Sequence, residues 1–150
     1  MMNASGLKSI LDSTWRGELA FAELLFNLDV LGVERYHADL VRFETTFYVA
    51  NGAMVVPAPL VRTPAAPTLS VVGIEVAARA LHRRRIGYDE FRERLATAGC
   101  ASYMVSIAGR RTAYLGRLGE SYHEALPRSV WPPRMGWPRA VTIRPMLRTA

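Results

Sequence analysis

Cysteine is almost absent from this chain, and long apolar runs are missing altogether. One of the 150 residues is a cysteine, Cys100, so no intramolecular disulfide can form. We expect Cys100 to be a small buried hydrophobe rather than a reactive thiol. The first thirty residues contain neither a basic leader nor an uninterrupted apolar segment, which argues against a signal peptide and a membrane span. The sequence therefore predicts a cytoplasmic protein.

Signatures of known active sites are missing as well. The chain has no Gly-rich phosphate loop, no paired-cysteine metal site, no His-Glu-x2-His helix and no nucleophile elbow. Its three histidines do not have the spacing of metal ligands. We therefore expect neither a metal nor a cofactor, and the sequence leaves open whether the protein is an enzyme.

Basic residues are concentrated in the second half of the chain. Residues 76–150 hold fourteen basic and five acidic side chains, whereas residues 1–75 hold five and eight. A basic half could attract a polyanion through counterion release. The arginines are nevertheless spread over a helix end, a hairpin and a tail, without a nucleic-acid-binding motif. Polyanion binding is thus a third hypothesis, and nucleic acid is not the expected partner.

Residues 21–52 align without a gap to residues 88–119, which indicates an internal repeat. Each copy begins with apolar residues at helical spacing, followed by a glycine, Gly32 or Gly99, that suits the end of a helix. The apolar period then changes to two, as in half-buried strands. Six aligned pairs are identical, and they are Glu23/Glu90, Leu28/Leu95, Gly32/Gly99, Tyr36/Tyr103, Thr45/Thr112 and Gly52/Gly119.

The expected fold is α+β, with two helix-strand-strand repeats whose strands form one mainly antiparallel sheet and whose helices pack on one face. Gly109-Arg110 suits a type II′ hairpin turn, and Asn51-Gly52 predicts another hairpin leading to a third strand. Further helices are predicted over residues 6–15 and 69–85. Residues 120–127 could be a strand or a turn. We expect one domain over residues 1–127 and an extended, Pro/Arg/Trp-rich tail over residues 128–150. In this tail Val141 to Ile143 could add an edge strand. Trp131 and Trp137 favour docking of the tail on its own domain or on a partner chain.

Candidate site residues come from a difference between the two copies. His37 and Asp39 are two residues apart on one strand face, where the second copy has Met104 and Ser106. A carboxylate beside a histidine orients the ring for general acid–base catalysis. Solvated polar groups on an exposed strand are the alternative interpretation. The predicted catalytic residues are His37, Asp39, Tyr48, His123 and Glu124, and the predicted ligand-binding residues are Thr46, Tyr103 and Arg117.

Three segments carry a family resemblance: GVERYHADLVRFETTFYVANG, AGCASYMVSIAGRRTAYLGRLG and YHEALP. They hold a Gly-x3-Tyr-x2-Asp strand entry, a Gly-Cys-x2-Tyr segment and a closing His-Glu-x2-Pro. The residues are Gly32, Tyr36, Asp39, Gly99, Cys100, Tyr103, His123, Glu124 and Pro127. Over residues 18–127 the chain resembles a small, uncharacterised bacterial family often labelled "phage envelope protein". The resemblance implies a compact α+β domain and no established activity.

Two further hypotheses about function precede polyanion binding. The first is a binding domain for a small molecule or a partner protein, with a homodimer as one form. The second is a small cofactor-independent isomerase, cyclase or lyase in which His37 and Asp39 move a proton.

Overall fold

The computed structural model describes residues 2–132, which form four α-helices, six strands and one short 3-10 helix. The elements follow in the order α1 (Ala4–Trp15), α2 (Phe21–Val30), β1 (Arg35–Asp39), β2 (Glu44–Val49), β3 (Gly52–Pro57), α3 (Val71–His82), α4 (Tyr88–Thr97), β4 (Cys100–Ser106), β5 (Arg111–Gly116), β6 (Ser121–Ala125) and the 3-10 helix (Arg128–Val130).

The six strands form one antiparallel sheet in the order β3-β2-β1-β4-β5-β6. One face of the sheet packs against the helices, and the predicted α+β class with an antiparallel sheet is confirmed. Alternation along each strand explains the two faces, because successive side chains point in opposite directions. In β1 and in β4 beyond Ser102 the buried side chains are Tyr36, Ala38, Tyr103 and Val105, and the intervening residues face away from the helices.

Helices α2 and α4 supply the centre of the core. Leu25, Leu28 and Leu95 are each fully buried, as their helical spacing requires. Truncating a buried leucine of this kind to alanine typically costs about 2–5 kcal/mol. The helices are therefore held mainly by their apolar faces rather than by the exposed ion pairs on their outer surfaces.

Two glycines end α2 and α4 as the sequence predicts. Gly32 has φ 86° and Gly99 has φ 87°, the left-handed conformation that closes a helix without a Cβ penalty. The two positions differ in their surroundings. A Cβ on Gly99 would lie 2.2 Å from the backbone oxygen of Thr68, whereas a Cβ on Gly32 would meet nothing within 4 Å.

The predicted turn at Gly109 is wrong in its detail. The loop between β4 and β5 spans residues 107–110, so the left-handed residue comes last, and it is Arg110 with φ 57°. The backbone N–H of Gly109 donates to Ser106 Oγ at 2.8 Å, and Gly109 does not have positive φ. Phe43, in the equivalent turn of the first copy, also has φ 57°.

Three other predicted boundaries change. Helix α3 is shorter than residues 69–85, since Ser70 caps its first turn by accepting from the Gly73 N–H at 3.1 Å and Arg84 has φ 61° just beyond its end. Helix α1 starts earlier than residue 6, because Asn3 caps it. Residues 121–125 are a strand.

The chain stays packed on the domain beyond Pro127. Val130 is buried, and the indole N–H of Trp131 donates to the backbone oxygen of Leu126 at 2.9 Å. The guanidinium of Arg110 lies 4.1 Å from the centre of the Trp131 ring. The predictions for Trp137 and for residues 141–143 lie outside the described residues.

Candidate functional site

The sheet face opposite the helices carries five of the eight predicted site residues, and these are His37, Asp39, Thr46, Tyr48 and His123. His37 lies on β1 between Thr46 of β2 and Met104 of β4. The same row continues across the sheet to His123 of β6, with Ala113 between Met104 and His123. His37 and His123 are thus three strand spacings apart, roughly 14 Å. The two histidines therefore do not form one site.

Asp39 has a role in a turn rather than beside His37. Its Oδ1 accepts the backbone N–H groups of Val41 and Arg42, each at 2.9 Å, at the turn between β1 and β2. No hydrogen bond joins Asp39 to His37 within residues 2–132. The geometry therefore gives the acid–base pair no support, and that pair stays a prediction.

The other two members of this face are neighbours of β1 residues. Tyr48 lies beneath Arg35, whose guanidinium carbon is 4.2 Å from the ring centre. Thr46 faces His37 across the strand pair. Neither His37 nor Asp39 lines any of the clefts described below.

Arg117 lines a cleft of about 390 Å³ at one end of the sheet. The cleft lies between the β1–β2 turn, the segment of residues 61–65 and the start of the loop after β5. Apolar side chains form most of its wall, and its charged lining residues are Arg62 and Arg117. One N–H of the Arg117 guanidinium donates to the backbone oxygen of Ala65 at 3.2 Å.

A carboxylate from α4 fixes the loop that forms one wall of this cleft. Glu93 accepts the backbone N–H groups of Arg62 at 2.8 Å and Thr63 at 3.0 Å, and the Thr63 hydroxyl at 2.6 Å. These hydrogen bonds, that from the Thr63 hydroxyl first, lower the pKa of Glu93. The crossover loop is thus attached to the domain independently of Arg117.

Cys100 lies in the wall of the same cleft and is fully buried, as expected for a structural cysteine. Its thiol donates to the backbone oxygen of Ser102 at 3.1 Å. Burial raises the pKa of the thiol to about 12. The neutral thiol therefore predominates at neutral pH.

Glu124 faces the helices and belongs to a second cleft, between α3 and the end of β6. The Tyr122 hydroxyl lies 3.0 Å from Glu75 Oε2 and 3.4 Å from Glu124 Oε2. The Tyr114 hydroxyl lies 3.5 Å from the other oxygen of Glu124. Desolvation is the main reason why the pKa of Glu124 is raised. Tyr122 has one proton to donate and two carboxylates within reach of it.

His82, Arg79 and Arg83 line the same second cleft, which has a volume of about 390 Å³. The ring of His82 stacks on Phe21 with ring centres 5.0 Å apart. Burial lowers the pKa of His82 to about 4, so this histidine is neutral at physiological pH.

A third polar group lies beneath the C-terminal turn of α1. Arg92 is 3% exposed, and its guanidinium carbon lies 5.3 Å from the centre of the Trp15 ring. Desolvation lowers the pKa of Arg92. The Tyr88 hydroxyl, one helical turn earlier, is buried without a hydrogen-bond partner. A cavity of about 20 Å³ lies beside Tyr88, and its other lining residues are Thr14, Trp15, Tyr36, Thr45, Tyr103 and apolar side chains.

Sequence reasoning missed Arg92, Tyr122 and Glu75. A signal for Arg92 was present: it stands on the apolar stripe of α4, four residues after Tyr88 and three before Leu95, where the repeat has Leu25 in the first copy. Tyr103, predicted to bind a ligand, is 5% exposed and lies on the core side of the sheet. The eight predicted residues thus occupy separate places.

A family model described as "Protein of unknown function (DUF1398)" matches residues 8–123. No curated protein matches the chain. Within residues 2–132, no helix combines the length and apolar character needed to cross a bilayer.

Proposed function

We propose a function from the geometry of the site, because the chain belongs to the DUF1398 family, whose function is unknown. The protein is a small-molecule-binding domain, and its ligand has an apolar body and one anionic group. The ligand occupies the cleft beside Arg117.

The composition of that cleft's lining supports this proposal. Two arginines and no carboxylate line it, together with apolar side chains that include Leu40, Phe43 and Val61. Its volume of about 390 Å³ falls in the range typical of small-molecule sites. Apolar walls with a few convergent donors favour an amphipathic anion over a neutral polar molecule.

Arg117 has donors to spare for such a ligand. Its side chain is exposed and spends one N–H on the oxygen of Ala65, whereas a guanidinium has five. The remaining donors can form a bidentate pair with a carboxylate, sulfonate or phosphate. Arg62, on the opposite side of the loop, adds positive charge at the same opening.

The test uses anilinonaphthalene sulfonate, a probe with an apolar body and one negative charge. We expect saturable fluorescence enhancement with the folded full-length protein, and competition by a medium-chain fatty acid. Val41→Glu places a carboxylate in the cleft at a position that is 61% exposed, so folding is not affected. It should weaken probe binding about three- to tenfold, and Arg117→Met should weaken it at least about tenfold.

Leu60→Glu is the matched control. Leu60 is 62% exposed but does not line the cleft, so the same change of charge there should leave probe affinity close to that of the wild type. Equal affinities of the wild-type, Val41→Glu and Arg117→Met proteins would contradict the proposal. Glu93 fixes the loop at Arg62 and Thr63 without Arg117. A loss of affinity in Arg117→Met therefore reports the missing guanidinium rather than displacement of that loop.

The internal repeat is a second proposal, supported by strand register. Tyr36 pairs with Val105 and Ala38 pairs with Tyr103, and the alignment equates Tyr36 with Tyr103 and Ala38 with Val105. Exchanging the copies therefore converts one pair into the other. The Leu40 N–H donates to Ala101 at 3.0 Å and the Ile107 N–H donates to Glu34 at 2.9 Å, which are again equivalent positions. A duplication with a twofold relation between β1 and β4 accounts for both observations.

The enzyme, polyanion and homodimer hypotheses stay predictions. Of the residues predicted to be catalytic, Glu124 is the one that lies in a cleft described here and has a perturbed pKa. This geometry moves the acid–base hypothesis from His37 to Glu124.

A further inference from the structure

Arg92 is a buried cation that forms no close ion pair within residues 2–132, and Asp89 and Glu93 of its own helix act on it only as more distant charges. Its side chain is 3% exposed, and within residues 2–132 it makes neither a hydrogen bond nor an ion pair. Arg94, two residues later, is by contrast exposed and paired with Glu90. Buried charges in folded proteins are normally paired, because an unpaired charge keeps the cost of lost hydration without the gain of a partner.

The aromatic ring beside the guanidinium compensates for only part of that cost. The Trp15 ring lies 5.3 Å away, at a distance suitable for a cation–π interaction. An aromatic face attracts the charge but accepts no hydrogen bonds from the five N–H groups in the plane of the guanidinium. These donors are still available to an acceptor.

A second donor without a partner lies on the same face of α4. The Tyr88 hydroxyl is buried and has no hydrogen-bond partner, although such groups are usually satisfied. The ring of Trp15 also packs edge-on against Tyr88, with centres 6.2 Å apart. Trp15 therefore contacts both residues, and the cavity of about 20 Å³ lies on the Tyr88 side.

We propose that Arg92 and Tyr88 form a binding site for the carboxylate group of a small organic acid, closed by Trp15 at the end of α1. A carboxylate accepts from several N–H and O–H groups at once and neutralises the guanidinium. The cavity now has room for a group of about the size of a water molecule. A ligand with a longer apolar part therefore displaces Trp15 when it enters.

The surroundings favour a monocarboxylate over a phosphate. No charged side chain lines the cavity within the described residues. Its apolar lining comes from α1, α2 and β2 and consists of Leu11, Trp15, Leu24 and Phe47, beside the hydroxyl-bearing residues Thr14, Tyr36, Thr45, Tyr88 and Tyr103. A phosphate would bring a second negative charge, and no second cation there would offset the cost of desolvating it. The site shares no lining residue with the cleft of Arg117, so it is independent of the function proposed above.

The experiment titrates full-length protein with acetate, propionate, benzoate and inorganic phosphate at constant ionic strength. Melting temperature and Trp fluorescence are recorded. We expect a saturable rise of the melting temperature with a carboxylate, since a ligand that binds the folded state stabilises it. In Arg92→Met the affinity should fall at least about thirtyfold, and in Tyr88→Phe about five- to tenfold. Arg94→Met, on the same helix, should behave as the wild type.

Each other outcome overturns the proposal. A response to phosphate alone refutes the carboxylate assignment, and the absence of any saturable response refutes the site. An unchanged response in both Arg92→Met and Tyr88→Phe places the anion elsewhere. Should Arg92→Met fail to fold, Tyr88→Phe decides alone. This change removes an unpaired buried hydroxyl and keeps the packing of the ring. If Tyr88 were purely structural, carboxylate affinity would be unchanged in Tyr88→Phe.

Discussion

Gly99→Ala should be far more damaging than Gly32→Ala, although both glycines end a helix with the same backbone conformation. The φ angles are 87° and 86°. A left-handed conformation costs an alanine about 1–2 kcal/mol, and the less flexible unfolded chain returns about 0.4–1 kcal/mol. The net change expected at Gly32, where a Cβ meets nothing within 4 Å, is therefore a loss of about 1 kcal/mol.

At Gly99 a steric term adds to this. The new Cβ would lie 2.2 Å from the Thr68 oxygen and 2.9 Å from the Leu69 Cα, and both are backbone atoms that cannot rotate away. Relieving the overlap moves a segment anchored by the hydrogen bond from the Ser70 N–H to the Ala98 oxygen at 2.7 Å. Overpacking of this kind typically costs about 1–3 kcal/mol, so the total at Gly99 is about 2–4 kcal/mol.

The free energy of unfolding of both variants can be measured by urea denaturation, with the m-value as a check that the same surface is exposed. Equal losses in the two variants would refute the reasoning, because the backbone conformations are the same and only the surroundings differ. An equal loss would mean that the segment around Thr68 moves freely. In that case the wall of the Arg117 cleft would not be fixed as described.

Two further changes test other parts of the structure. The pKa of Glu124 is raised in the folded protein, so the stability from this group is present below its ordinary value of 4.5 and is lost as pH rises through the raised pKa. Glu124→Gln cannot ionise, so between pH 4.5 and neutrality its free energy of unfolding should fall less than that of the wild type. Parallel pH profiles of the two proteins would exclude the effect. Val130→Ala should cost about 2 kcal/mol because the side chain is 2% exposed, whereas Val41→Ala, at 61% exposure, should cost almost nothing in the same urea titration.

Much of the fold could be predicted because it depends on periodicity and on glycine. The alternation at Tyr36 and Ala38 identified the buried face of β1, and Gly32 and Gly99 marked two helix ends. Turn geometry was less accessible. Gly109 is the residue that local preference selects for positive φ, yet the length of the loop gives that conformation to Arg110. Local propensity does not include the register that the paired strands impose.

The candidate site was less predictable, because a site depends on side chains distant in sequence. Asp39 stands two residues after His37 on the strand, but its carboxylate accepts hydrogen bonds from the backbone of the turn that follows. Glu124 and Glu75, 49 positions apart, both reach Tyr122. No spacing rule connects α3 to β6, so that network became visible only from the packing of α3 against the sheet.

The difference between the two copies is nevertheless informative when it is applied to helices rather than strands. On an exposed strand face the first copy has His37 where the second has Met104. Water reaches this surface, so the imidazole needs no partner within the protein. On a buried helix face the same comparison has more force. The first copy has Phe21 and Leu25 in the core, and the second has Tyr88 and Arg92 at the aligned positions, also buried. Both substitutions add hydrogen-bond donors where the first copy has apolar atoms, and the Tyr88 hydroxyl is buried without a partner within residues 2–132. An apolar pair would satisfy the core equally well, so the polar pair is best explained by an acceptor that binds there.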